Sequence, residues 1–265
     1  MCVDKKRDQI GRALWMITAG LMAAGLIAAE AHAQEFTLSQ NGKSVGKANL
    51  LLNKSGAGFA QTSAANIDMP GLKYKFTENA TLDGGFHLTK VQLDGSVNGI
   101  SAKVDTALNG QQFVMQIHAN GNTTNTPLAF HPQTVFLADF DPGALQVLLN
   151  LGAAHNNANL WALIPKQTGS VEALRVATDA DMQGTLNGAA IPVHHLTVTF
   201  GTSKTELFSS PRNKLLQAEW TDEGFAMVRN GFKLTPSSRP GAPPPAPAQP
   251  AGQAPAQPQA QPQQQ

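Results

Sequence analysis

The chain has 265 residues, of which 42% are hydrophobic and 14% are charged, and its formal net charge is +1 at neutral pH. Residues 34–265 carry 15 Lys/Arg and 15 Asp/Glu, so they offer no basic surface of the kind that binds nucleic acid or anionic lipid. The single cysteine, Cys2, excludes a disulfide framework. We therefore expect no nucleic-acid partner, and we expect a hydrophobic core to be the source of stability.

The first 33 residues have the pattern of a secretory signal peptide. A basic start precedes an apolar run over residues 13–29, and Ala31 and Ala33 supply the small residues that favour cleavage. We predict cleavage before Gln34, a periplasmic or secreted bacterial protein, and no transmembrane anchor after cleavage. A retained anchor is the alternative, because an apolar run of about 17 residues is at the short limit for spanning a bilayer.

Residues 34–234 have the pattern of one all-β domain. Short runs alternate apolar and polar residues, and turn dipeptides separate them; Asn41-Gly42 predicts the first hairpin. The apolar positions change phase within residues 86–93 and again within 191–198, which predicts bulges that curve a sheet. The sequence thus predicts a strongly curved antiparallel meander, in the form of a half-barrel or a barrel.

Residues 141–151 interrupt the strands with the pattern of one short helix. Asp141 is a suitable cap and Pro142 suits the first helical position. The rest of the segment is apolar nearly all round, so we expect the helix to be buried on the concave face of the sheet. It is either part of the core or a lid that moves to admit a ligand. The candidate residues for this role, core or lid, are Leu145, Leu148, Leu149, Leu151 and Trp161.

Motifs for catalysis or metal binding are weak. Residues 42–46 match Gly-x-Ser-x-Gly, but they follow a hairpin turn and enter a strand, whereas a serine hydrolase needs a helix there. His194 and His195 are adjacent in a predicted strand, so their side chains point to opposite faces and cannot both bind one ion. We expect no metal, no cofactor and no enzymatic activity. A carboxylate pair brought together from distant strands is left open.

Residues 235–265 have the pattern of a disordered tail. From Pro240 to Gln265 every residue is Pro, Ala, Gln or Gly, and such a segment has almost nothing to bury. We predict an extended spacer or tether. The alternative is a specific ligand for a Pro-binding groove on another envelope protein.

Residues 206–229 read as strand, turn, strand and last strand. Together with the opening segment 40–48, this pattern resembles periplasmic β-domains of unknown function, which look like the lipoprotein-carrier (LolA/LolB-like) superfamily. The resemblance implies a curved sheet around a helical lid and non-covalent binding of an acyl chain, and it implies no catalytic residue. The expected function is an exported binding or chaperone-like module that holds an apolar, lipid-like ligand or a partner segment. The alternatives are a structural or interaction protein tethered through its tail and, with less support, an envelope hydrolase.

Overall fold

The computed structural model describes residues 33–166 and 168–236; the predicted signal peptide, apart from Ala33, and the Pro-rich tail beyond Pro236 lie outside them. Its first half is a run of eight strands, each paired antiparallel with the next. These strands are β1 (Gln34–Gln40), β2 (Lys43–Ser55), β3 (Gly58–Met69), β4 (Leu72–Leu82), β5 (Leu88–Val97), β6 (Ile100–Asn109), β7 (Gln112–Ala119) and β8 (Asn122–Ala129).

Asparagine-glycine pairs form several of the turns between these strands. Asn41 and Gly42 have φ of 48° and 76°, and Asn98 and Gly99 have φ of 50° and 84°. Two consecutive residues with positive φ produce the turn whose twist matches that of a hairpin, and asparagine and glycine adopt that conformation at the lowest cost. The hairpin predicted at Asn41-Gly42 is confirmed by the pairing of β1 with β2.

The second half contains nine strands and the single α-helix among the described residues. In chain order these elements are β9 (Thr134–Phe136), α1 (Pro142–Ala154), β10 (Leu160–Ile164), β11 (Ser170–Thr178), β12 (Met182–Leu186), β13 (Ala189–Phe200), β14 (Ser203–Ser209), β15 (Leu215–Trp220), β16 (Phe225–Arg229) and β17 (Phe232–Leu234). A 3-10 turn, Thr221–Glu223, connects β15 and β16.

The two halves form one mixed sheet of 17 strands, which is not closed into a barrel. The first strand, β1, joins them because it pairs with β2 on one edge and with β16 on the other. One pairing corrects the expectation of a wholly antiparallel sheet: β9 and β10 are parallel. The reason is α1, which lies between them in the chain, since a helical crossover returns the chain in the direction in which it started.

Helix α1 begins where the sequence predicts. Asp141 caps it by accepting hydrogen bonds from the backbone N–H groups of Gly143 at 2.8 Å and Ala144 at 3.0 Å, and Pro142 occupies the first turn. The helix ends at His155, and Asn156 follows with a positive φ of 51°. Nearly every residue of α1 is buried, so the prediction of a buried, apolar helix is confirmed.

Two groups of buried apolar side chains form the core. The larger group includes the leucines of α1 and the inward-facing residues of β1 to β7, and the smaller one is Met182, Val193, Phe208, Leu216 and Phe232. Leu207 belongs to the larger group and its neighbour Phe208 to the smaller, so β14 has apolar contacts on both faces.

A similar double contact in β13 explains why the apolar positions change phase within residues 191–198. It also corrects the prediction of a bulge there. In β13, Val193 packs in the smaller group and Val198 in the larger, while its pairing with β14 continues from His194 to Phe200 without a register shift. The bulge predicted within residues 191–198 is therefore wrong, because the strand exchanges its buried face instead. The bulge predicted within 86–93 is confirmed by a register shift at Leu88, opposite Leu82.

Because α1 contributes its leucines to the main core, we expect Leu151→Ala to lower the free energy of unfolding by roughly 2–5 kcal/mol. Leu151 is 0% exposed, so truncation leaves a cavity as well as removing buried area. The control is Ile100→Ala, since Ile100 is 52% exposed and its truncation should change stability by less than about 0.5 kcal/mol. Urea denaturation followed by circular dichroism measures both. Equal, small losses would contradict a structural role for α1.

Candidate functional site

The sequence-predicted candidates occupy two environments. Leu145, Leu148, Leu149 and Leu151 are all buried on α1, with exposures of 0–6%. Trp161 on β10 is half-buried, and its ring stacks on that of His131 with the ring centres 3.6 Å apart. The structure therefore groups the four leucines on α1, whereas Trp161 lies on β10 and contacts His131.

A cavity of about 120 Å³ lies between the C-terminal half of α1 and strands β11, β13 and β14. Leu148 and Leu149 line it, whereas Leu145 and Leu151 do not. Its remaining apolar lining is Ala153, Val176, Leu196, Val198 and Leu207, and its polar lining is Asn157, Thr178, His194, Ser209 and Asn213. The cavity thus combines apolar walls with several hydrogen-bonding groups, which is the usual make-up of a small-molecule site.

A row of polar side chains crosses three neighbouring strands beside this cavity. His194 on β13 stands directly opposite Ser209 on β14. On the other side, His194 Nδ1 lies 2.8 Å from Asp181 Oδ1, immediately before β12. Ser209 is only 1% exposed, and within the described residues its Oγ has no hydrogen-bond partner. This row could not be found from sequence alone, because it depends on the register of three strands.

Gln146 holds α1 to the sheet close to the cavity. Its side-chain amide donates to the backbone oxygen of Asn213 at 2.6 Å, and its Oε1 accepts from the backbone N–H of Leu215 at 3.0 Å. Gln146 is 0% exposed, so these hydrogen bonds also satisfy a polar group that would be costly to bury alone. Sequence analysis missed Gln146, since a single glutamine in an apolar helix carries no motif.

A pair of buried carboxyl groups lies at the N-terminus of α1. Glu78 on β4 faces Asp141, the helix cap, and both are 1% exposed. Gln61 on β3 donates to Glu78 Oε1 at 3.1 Å. Glu78 Oε2 meets no donor among the described residues. This is the kind of carboxylate pair from distant elements that the sequence left open.

Burial shifts the protonation of this pair. Desolvation, and then the nearby Asp141 carboxylate, raise the pKa of Glu78 well above its ordinary value. Desolvation also raises the pKa of Asp141, although hydrogen bonding from Ser63 and from the N–H groups of Gly143 and Ala144 opposes that shift. Both shifts favour the protonated form, more strongly for Glu78, while Asp141 accepts the backbone hydrogen bonds that cap the helix. Because the pair is sealed from solvent, it has no access to a substrate.

The other histidine of the adjacent pair points to the opposite face. The ring of His195 stacks on Phe208 in the smaller group of core residues, at 4.6 Å between ring centres. Its nitrogens lie 3.8 Å from Asp179 and 3.6 Å from Glu206. His194 and His195 therefore cannot share an ion, and no group of three or more His, Cys, Asp or Glu suited to a metal occurs in the described part of the chain.

Two further features lie in the first half of the sheet: the Gly-x-Ser-x-Gly match and a surface cleft. Ser44 of the Gly-x-Ser-x-Gly match lies in β2, paired with Ser39, so the motif does not precede a helix. A cleft of about 630 Å³ lies over β1 to β6 and includes the exposed side chains of Lys47, Lys75 and Asp94. None of its described lining residues has a buried polar atom without a partner, in contrast to the cavity beside α1.

No family model, curated protein or solved structure matches the chain. The resemblance to lipoprotein carriers therefore stays a prediction from the sequence pattern. Among the described residues, α1 is too short to cross a bilayer, and the structure contains no longer helix.

The buried pair predicts how stability depends on pH. A carboxyl group with a raised pKa in the folded state stabilises the protein fully below its ordinary pKa, and this contribution is lost as pH rises through the raised value. We therefore expect the free energy of unfolding to fall as pH rises from the ordinary titration range of glutamate toward alkaline pH. Glu78→Gln keeps a donor for Asp141 without an ionisable proton, so it should be more stable than the wild type at the alkaline end.

Urea denaturation across this pH range measures the effect. Glu172→Gln is the matched control, because Glu172 is exposed on β11 and its substitution should preserve the pH dependence of the wild type. If Glu78→Gln shows the same dependence of unfolding free energy on pH as the wild type, the raised pKa of Glu78 is contradicted.

Proposed function

We propose that this protein is an exported binding module of the cell envelope, which holds an apolar ligand between α1 and strands β11, β13 and β14. The observation that carries the proposal is the cavity beside α1, which has apolar walls, a polar rim and a volume of about 120 Å³. The candidate lid residues Leu148 and Leu149 line that cavity. Export rests on the signal-peptide pattern of residues 1–33.

We infer that the sheet bends around α1. The helix contacts β2 and β3 as well as β15, β10 and β9. Through the strand pairings, β3 and β10 lie eight positions apart, which corresponds to about 40 Å across a flat sheet. A helix of 13 residues is only about 20 Å long. A bent sheet with a helix on its concave side is also what the resemblance to lipoprotein carriers implies.

The size of the cavity limits what enters without movement. Typical ligand pockets have volumes of about 300–1,000 Å³, and the cavity beside α1 is smaller. A second space of about 150 Å³ lies near the start of α1, against Tyr74, Leu93 and Val104. A long acyl chain therefore requires α1 to move away from the sheet, whereas a short apolar group fits as the structure stands.

Movement of α1 has to overcome the burial of its leucines in the main core. Its polar contacts include the capping bonds that Asp141 accepts at one end and the two hydrogen bonds of Gln146 to the backbone around β15. An apolar ligand that replaces the buried contacts of the leucines offsets part of that cost. The Pro-rich tail then serves as a spacer that tethers the domain within the envelope.

Leu148→Ala tests this function because Leu148 lines the cavity. We expect the variant to lose roughly 2–5 kcal/mol of stability, to keep β-type circular dichroism, and to bind more of a fluorescent apolar dye. The uncharged amphiphile 1-hexanol should displace that dye, since both occupy the enlarged space.

Leu145→Ala is the matched control, since Leu145 is equally buried on α1 but does not line the cavity. It should lose comparable stability without the gain in displaceable dye. Equal dye binding by the two variants, or dye that 1-hexanol does not displace from Leu148→Ala, would contradict a ligand site beside α1.

A further inference from the structure

The polar end of the cavity contains one hydroxyl group that the fold leaves unsatisfied. Ser209 lines the cavity, and its buried Oγ has no hydrogen-bond partner in the ranges that the structure describes. A buried hydroxyl without a partner costs about 1–3 kcal/mol. A group that meets this hydroxyl from inside the cavity removes that cost.

An irregularity in the neighbouring strand lies directly beside Ser209. The pairing of β14 with β15 shifts register between Phe208 and Ser209, so that Ser209 stands opposite Leu215 and Leu216 is the extra residue. Ser209 and Leu207 face the cavity together, while Phe208 packs on the other side. Bulges commonly re-aim side chains beside functional sites, and here the bulge lies where the hydroxyl meets the cavity.

The charges around the cavity select against an ionised ligand. No lysine or arginine is among the described residues that line it. His194 is the only titratable lining residue, and its Nδ1 lies 2.8 Å from the Asp181 carboxylate. With Nδ1–H donated to Asp181, the Nε2 atom of a neutral His194 is an acceptor. An anionic head group would therefore meet no permanent cation here and would lie near a carboxylate.

We propose that the cavity binds a short, uncharged amphiphile: an alkyl chain of about four to six carbons that ends in an uncharged oxygen bound by Ser209. The inference rests on the proposed function, since the alkyl part occupies the same apolar walls. A cavity of about 120 Å³ is close to the engineered cavity of about 150 Å³ that accepts benzene. Ser209 donates to the ligand oxygen, and a ligand hydroxyl donates to His194 Nε2.

Binding at this site is non-covalent. Asp181, His194 and Ser209 have the residue types of a serine-hydrolase triad, but that chemistry needs the nucleophile to be hydrogen-bonded to its base. Ser209 Oγ makes no such bond to His194. The hydroxyl is instead free to bind a ligand oxygen.

Isothermal titration with 1-pentanol, pentanoate and benzene separates the contributions. Wild-type protein should bind benzene and 1-pentanol, and it should bind pentanoate at least about tenfold more weakly than 1-pentanol, which corresponds to the loss of about 1.4 kcal/mol. Ser209→Ala should weaken 1-pentanol binding by roughly three- to tenfold and leave benzene binding unchanged. The same variant should melt at the same temperature as the wild type or higher, because it removes an unsatisfied hydroxyl.

Thr106→Val is the matched control. Thr106 Oγ1 is also buried without a partner in the described structure, but it does not line this cavity, so this variant should bind 1-pentanol as the wild type does.

If Ser209→Ala binds 1-pentanol as tightly as the wild type, or if pentanoate binds as tightly as 1-pentanol, the inference about the head group is wrong while the apolar site stands. If neither the wild type nor Leu148→Ala binds benzene, the proposed function fails as well. A gain of acyl mass on Ser209 after exposure to p-nitrophenyl butyrate would overturn non-covalent binding.

Discussion

Burial of helix α1 against the sheet is the interaction on which the rest of the described structure depends. A helix of 13 residues is only marginally stable in water by itself. Helix α1 also lacks a polar face, so its leucines are stable only when they are buried. Their burial brings β9 and β10 into parallel alignment and joins strands from both halves of the chain to one core. The helix thus connects elements that hairpin pairing alone would leave as separate meanders.

Burial of a helix also buries polar groups at its ends and on the strands beside it. Some of these groups have hydrogen-bond partners among the described residues and others do not. Asp141 caps the first turn, and Gln146 satisfies two backbone groups near β15. Glu78 is accommodated through a raised pKa, which makes the docking of the helix depend on a proton. Ser209 is left unsatisfied beside a cavity. In a low-dielectric interior an unsatisfied group is costly, and at Ser209 the proposed ligand would offset that cost.

The sequence predicts local structure well and long-range placement poorly. Asn41-Gly42 specifies a turn, and Asp141 with Pro142 specifies a helix start, because each depends only on residues a few positions apart. The exchange of buried faces along β13 and the parallel pairing of β9 with β10 depend on packing partners far along the chain. The polar groups of the site are equally hard to predict from the sequence. Gln146 forms hydrogen bonds to residues 67 and 69 positions away, and Ser209 lies opposite His194 only because of the strand register.

The most direct test of the account is a crystal structure of the protein with 4-bromo-1-butanol, whose bromine is located by anomalous scattering. The account predicts a bromine peak among Leu148, Leu149 and Val198, with the alcohol oxygen in hydrogen-bond contact with Ser209. A fully occupied bromine in the cleft over β1 to β6, with the cavity beside α1 unchanged, would contradict the assignment of the ligand site to the face that α1 covers.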